Sequence, residues 1–414
     1  MTMALDEKSK ENTATAQQIQ KVSDSEQKKP TQPKRHQGLD VLRGVAILLT
    51  ITNHWSKDLL PGIPELSGWQ GAIHWRLRGL GWTGVDLFFV LSGFLIGGLL
   101  VAELQKTSHL RVGRFLIRRG FKIWPSYFAL LLVLCVTNTY GFFDFSSVAA
   151  FIKCALVRLF FLHNYIDVGP NGPTWTLAVE EHFYTTLPFF ILLIIGLNHR
   201  TNDFRALPIA AIGVLIFIFA LRCHHAIYGE LRDGDHMFSH YRIDTLILGV
   251  LCQYAWRFHR ETLQRFFKHR LLTWAIAILL IAPSSFLSRT DPFMFTIGFS
   301  MLAYGYAMIL LDVQIHGFGI TKDTKLIRAT AAIGRYSYNI YLWHYFVPIM
   351  FSFALFPLST AIGKLPLPNM LNALLQLSIL MAISIFSGWL GTKIIETPFL
   401  NIRDKLFPSR TTAV

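Results

Sequence analysis

The stretch GLDVLRGVAILLTITNHW, Gly38 to Trp55, sets an apolar run between two polar ends. Its middle is apolar enough for a bilayer, yet Asp40 and Arg43 stand at one end and Asn53 and His54 at the other. Ionisable groups beside hydrocarbon are costly and mark functional sites by default. An α-helix turns 100° per residue, so Arg43 and His54, eleven apart, share one face with Asp40. The rise places His54 roughly 16 Å beyond Arg43. Two readings fit. One is an Asp–Arg pair capping a helix, with a histidine hydrogen-bonded inside a bundle. The other is the two ends of a functional path through a membrane.

The rest of the chain favours a membrane. Of 414 residues, 52% are hydrophobic and only 15% charged, where a soluble chain carries about 25% charged residues. Apolar runs repeatedly approach the ~20 residues that span a bilayer. The predicted fold is therefore an all-α membrane protein, with about ten transmembrane helices in one bundle. Run lengths place them near 39–55, 83–101, 121–137, 174–196, 206–222, 240–256, 271–287, 293–312, 331–357 and 371–394. Alternate loops then hold 19 Lys plus Arg on the N-terminal side and 8 on the other. That bias predicts that both termini are cytoplasmic. It also accounts for the net charge of +14 without nucleic acid.

AAFIKCALVRLFFL (149–162) is apolar but short and holds Lys153 and Arg158. It reads as an interfacial or re-entrant helix. Residues 1–37 read as a disordered basic cytoplasmic tail, 38–400 as one membrane domain and 401–414 as a short cytoplasmic tail. The four cysteines lie in or beside apolar segments without metal-like spacing, so neither zinc nor a disulfide is expected.

Further polar clusters recur along the spans. GWTGVDLFFVLSGFLIGG (81–98) carries Asp86 into an apolar helix and holds Ser92, Gly93 and Gly97. Those small residues serve close helix packing or leave room for a thin ligand. In RVGRFLIRRGFKIWP (111–125), Arg111, Arg114, Arg118, Arg119 and Lys122 form a cationic face suited to phosphates. Orientation in the membrane alone also calls for such charges. NGPTWTLAVEEHFYTTLPFF (171–190) places Glu180 and Glu181 near a helix start, with Asn171 and Trp175 before them. A carboxylate there can orient His54 or serve acid–base chemistry, or simply neutralise a nearby cation. HYRIDTLILG (240–249) adds Arg242 and Asp244, and GRYSYNIYLWHYF (334–346) adds Arg335 and His344. His344 alone reads as a packed bundle histidine. IIETPFL (394–400) ends the last span with Glu396 before a proline stop. No Walker A loop or Rossmann glycine pattern occurs, so an ordinary ATPase or dehydrogenase is excluded. Two classes fit the polar line: an enzyme with a phosphate-bearing cytoplasmic donor, or a transporter or proton relay.

These pieces, in this order over about residues 37–400, resemble acyltransferase family 3, the bacterial integral-membrane acyltransferases of surface glycans. The resemblance implies acyl transfer from acyl-CoA, most often acetyl-CoA, to an acceptor hydroxyl, without a metal. It implies an inner-membrane location and a glycan or lipid-linked sugar as acceptor. It makes His54 the catalytic histidine, as general base or as acyl acceptor, with Glu180 or Asp244 as its acidic partner. It assigns Arg43, Arg118, Arg119 and Lys122 to the CoA phosphates, and Ser92, Gly93 and Gly97 to the pantetheine path. Lys122 stands where the family pattern has arginine, keeping the charge and losing the bidentate fork. Arg242, Trp175 and Asn171 are expected at the acceptor, and Asp40, Asp86 and Arg335 as motif residues of the frame. Some members carry a fused esterase-like domain after the membrane part, which is not expected in this chain.

Overall fold

The computed structural model describes residues 37–138, 141–198, 204–318 and 324–408, with side-chain detail omitted at 197–198. The N-terminal tail up to residue 36 and residues 409–414 lie outside them. The described chain is helical throughout, with no strand among the described residues. The opening stretch forms α1 (Gln37–Asn53), with Asp40 in its first turn, where a carboxylate favours the helix dipole. α3 (Gly84–Thr107) follows Thr83, whose hydroxyl meets Leu80 O and Tyr306 Oη, and stops at Ser108, which adopts a left-handed backbone at φ 56°. α4 (Val112–Thr137) carries the basic face and tolerates Pro125 inside it.

Next come α5 (Val148–Leu159), α6 (Trp175–Asn198), α7 (Ala206–Tyr228) and α8 (Ser239–Phe258). α9 (Arg260–Phe266), α10 (Arg270–Ile281) and α11 (Phe299–His316) follow, then α12 (Lys325–Arg335), which packs along α1. α13 (Ser337–Trp343), α14 (Phe346–Met350), α15 (Ser352–Gly363), α16 (Asn369–Gly391) and α17 (Thr397–Leu406) complete the fold.

Six helical segments are long and apolar enough to cross a membrane, or up to eight if two bent pairs each count as one span. The bent pairs are α9 with α10, at 85°, and α13–α14 with α15, at 80°. Two of the ten expected spans, α1 and α8, are not among these. α1 has 17 residues, and α8 carries Arg242 and Asp244 near its start. Both lie in the interior of the bundle, where polar groups find protein partners. The apolar outer surface is clear on α7, where Ile209, Ile216 and Phe217 are each more than 60% exposed. Such a belt fits an integral membrane protein.

Three local expectations change. The predicted loop 56–82 contains a helix, α2 (Gly68–Gly81), whose four glycines and two arginines hide its period. The expected helix 331–357 is broken into pieces at Tyr336, at His344–Tyr345 and at Phe351. Pro398 does not stop the chain. It sits in the first turn of α17, where a missing N–H costs nothing, just after a π-helical turn at Thr392–Glu396. The 149–162 segment is the 12-residue α5, about 18 Å long and too short to cross. Its Arg158 is fully buried, donating to Val168 O and Pro170 O at 3.1 and 3.0 Å and stacking on Phe142.

Candidate active site

Two cavities lie along α1. The smaller, of about 150 Å³, meets α1 at Arg43 and is lined by Ser92, Arg119, Lys122, Glu180 and Tyr184. The larger, of about 740 Å³, meets the far end of α1 at Thr50, Asn53 and His54. Val85 and Tyr341 line both, so the two cavities adjoin. Arg43 on α1 and His54, one residue past its end, thus line two cavities that share a wall.

In the smaller cavity the cations differ in their freedom. Arg43 Nη1 pairs with Asp40 at 3.1 Å, and Lys122 pairs with Glu396, which the π-helical turn delivers in a buried position. Glu396 also accepts from Asn339 Nδ2 at 2.6 Å. Arg119 has no carboxylate within ion-pair distance among the described residues. Its guanidinium lies 5.8 Å from the Tyr184 ring centre. Glu180 accepts from Ser92 Oγ and Tyr184 Oη, both at 2.9 Å.

Arg118 departs from this group. It faces the C-terminal segment, donating to Phe407 O and lying 3.4 Å from Asp404. Arg114 likewise donates to Pro408 O. The basic face of α4 is therefore shared between the cavity, through Arg119 and Lys122, and the anchoring of the C-terminal helix.

Gly93 and Gly97 serve packing. A Cβ on Gly93 would overlap the Leu246 carbonyl of α8, and one on Gly97 would stand 3.1 Å from Val250 Cγ1. Ser92 alone of the three lines the cavity. Replacement Gly93→Val should force α3 from α8 and lower stability by about 1–3 kcal/mol, read as a drop in melting temperature in detergent. Unchanged melting with a raised KM for acyl-CoA would instead restore the ligand role.

At the other end, His54 is half-buried, with His344 and Tyr345 against it at ring-centre distances of 5.1 and 4.8 Å. Among the described residues none hydrogen-bonds the His54 imidazole. His344, passed over in the sequence as a packing residue, is buried at the break between α13 and α14. Its Nδ1 lies 2.5 Å from Tyr341 O. A carbonyl only accepts, so Nδ1 carries the proton and the neutral ring keeps a lone pair on Nε2. That atom is buried without a partner.

The two proposed acidic partners of His54 bind elsewhere. Glu180 belongs to the smaller cavity. Asp244 is ion-paired with Arg222 Nη1 at 2.6 Å, both side chains being buried, and lines neither cavity. Asp86 and Arg242 form a second buried pair, at 2.5 Å, and this one does line the His54 cavity. Trp175 lines the same cavity, edge-on to Phe89 and His236. Asn171 lies beside it, donating to His163 O at 3.0 Å, and is not in its wall. Arg335 is exposed at the end of α12. Glu181 accepts from Trp124 Nε1 at 3.1 Å. Arg78, His236 and Arg289 also line the His54 cavity. No sequence signal marked them, because they come from loops or from the hidden helix α2. Among the described residues no group of three or more His, Cys, Asp or Glu converges as a metal site.

The bundle thus carries a cationic recess at one end of its first helix and a histidine recess at the other. The chain belongs to the acyltransferase domain family, which matches residues 36–393. It is similar to the peptidoglycan O-acetyltransferase OatA of Listeria monocytogenes, with 27% identity over 383 residues, covering 87% of this chain and 55% of that protein. It is also similar to the O-acetyltransferase OatA of Staphylococcus aureus, with 25% identity over 335 residues, covering 76% of this chain and 50% of that one. The chain thus spans about half the length of these relatives. No solved structure matches it.

Proposed function

We propose that the chain is a membrane O-acyltransferase that moves an acyl group, most simply acetyl, from acyl-CoA to a hydroxyl of a cell-envelope glycan, as the names of its relatives suggest. One observation carries this reading: the adjoining cavities, cationic at Arg43 and Arg119 and ending at His54. The donor's phosphates bind at the Arg43 end, on the cytoplasmic side of a ten-span bundle in the inner membrane with both termini inside. The thin pantetheine arm passes Ser92 and reaches the wall shared by Val85 and Tyr341. The acceptor, a glycan or lipid-linked sugar, enters the larger cavity.

His54 takes the proton of the acceptor hydroxyl as general base. The hydroxyl oxygen attacks the thioester carbonyl, the carbon–sulfur bond breaks, and the CoA thiolate leaves and takes up a proton. An imidazole with no hydrogen bond from the described residues suits this role, since its lone pair is available to substrate. His344, fixed by Tyr341 O, is placed to hold the ring of His54 in position.

Purified full-length protein in lipid nanodiscs tests the reading. With acetyl-CoA and soluble peptidoglycan fragments it should release CoA thiol and yield acetylated glycan in equal amounts. Transport without transfer would release no thiol and overturn it. Arg119→Ala should raise the KM for acetyl-CoA about tenfold, the scale of one charge-assisted contact, with a smaller change in kcat. Lys122→Ala should do less, because Glu396 already occupies that ammonium.

A further inference from the structure

The His54 cavity holds more positive charge than hydroxyl chemistry needs. Arg78 reaches it from α2, Arg242 from α8 and Arg289 from the segment between α10 and α11. Its wall offers two carboxylates in return. Asp86 is engaged by Arg242. Asp58 is exposed and accepts from Ser56 Oγ at 3.1 Å. Among the described residues neither Arg78 nor Arg289 has a carboxylate within ion-pair distance. Arg289 Nη1 lies 3.2 Å from His236 Nε2. A guanidinium only donates, so His236 meets it as a neutral ring and offsets no charge.

Several of these donors are also unmade. Arg242 is 1% exposed and its guanidinium lies 4.2 Å from the Phe299 ring centre, yet among the described residues its Nε and Nη1 have no hydrogen-bond partner, nor has the buried Arg78 Nε. Unpaired guanidinium N–H groups are costly to bury, and those of Arg242 and Arg78 belong to side chains that line the cavity, where a ligand can accept from them. Guanidinium forks fit the oxygens of carboxylates and phosphates. The proposed donor's phosphates are assigned to the other cavity, where Arg119 lies beside Arg43 and Lys122. The walls beside the three arginines, Trp82, Trp175 and Tyr345, offer aromatic faces to a sugar.

We infer that Arg78, Arg242 and Arg289 bind an oxyanion carried by the acceptor, a carboxylate or phosphoryl group close to the hydroxyl presented to His54. The inference rests on the proposed acyl transfer and gives its acceptor a chemical class. Charge at this end selects anionic sugars over neutral ones, and the aromatic walls hold the ring.

The test uses full-length protein in nanodiscs with acetyl-CoA and three model acceptors: the methyl glycoside of N-acetylglucosamine, its 3-O-lactyl ether with a free carboxylate, and N-acetylglucosamine 1-phosphate. Wild type should favour one of the anionic acceptors over the neutral one by about tenfold or more in kcat/KM. Which one it favours separates carboxylate from phosphoryl recognition. Arg78→Gln and Arg289→Gln should each collapse that ratio. Arg76→Gln should keep it, because Arg76 lies on the same helix but stacks on Phe286, 4.8 Å away. Equal use of all acceptors by wild type, or a ratio unmoved in both variants, overturns the inference. Binding of inorganic phosphate, followed by calorimetry without acetyl-CoA, separates the two levels. Arginine-dependent phosphate binding with no transfer to any acceptor keeps the anion site and removes the acyltransferase reading. Transfer with neither charge preference nor phosphate binding does the reverse.

Discussion

His54→Ala is expected to lower acyl transfer by about 10³-fold or more, within the range for loss of a positioned general base, while the protein folds and still binds acyl-CoA. The imidazole lines the larger cavity beside His344 and Tyr345 and makes no protein hydrogen bond among the described residues. Truncation therefore removes a reacting group without stranding a buried partner. The check is the rate of CoA thiol release alongside equilibrium binding of acetyl-CoA. Loss of both binding and transfer would make His54 a structural residue. His344→Ala should act less severely, by lowering kcat with little change in the KM for donor, since it touches His54 rather than substrate. His344→Gln should recover part of the loss, as an amide can keep the bond to Tyr341 O.

Asp244→Asn is expected to be the most destabilising single change considered. Arg222 and Asp244 are both buried, and removing one charge leaves the other without compensation, a loss of about 3–5 kcal/mol for such pairs. The pair also ties α7 to α8, while Arg222 Nη2 reaches Ser300 Oγ on α11 at 2.8 Å. The double variant Arg222→Met, Asp244→Leu should regain much of the stability, because an apolar pair of similar volume has no charge to desolvate. Melting temperature in detergent reads the first effect. Acyl transfer by the double variant reads the role: retained kcat makes the pair a frame for the bundle, whereas a stable but inactive double variant would return Asp244 to the catalytic set.

The line between frame and site was partly legible from the residues alone. α1 declared itself, because helical phase is a local property, and Arg43, near its start, and His54, just past its end, line the two adjoining cavities. Ser92 and Glu180 were both singled out as site residues, and the structure brings them together in a hydrogen bond. What was not legible is pairing between distant segments. Asp244 looked available to His54 until Arg222, from another helix, took its carboxylate. Arg118 and Arg119 are neighbours in sequence, but 100° of helix turn sends one to the C-terminal segment and the other to the cavity. The contact of His344 with His54 and the hidden helix α2 were not legible, for different reasons. The first lies at a break that an apolar run conceals, and the second has its period diluted by glycine.

In the proposed reaction donor and acceptor approach from opposite ends of the two adjoining cavities, with His54 near their junction. Proteoliposomes of known protein orientation test it most directly. Labelled acetyl-CoA is supplied on one side only, at the Arg43 end, and the anionic sugar acceptor on the other only. Acetylated sugar is expected on the acceptor side, free CoA thiol on the donor side, and no product when the two compartments are exchanged. Product formed only when donor and acceptor share a compartment would contradict it.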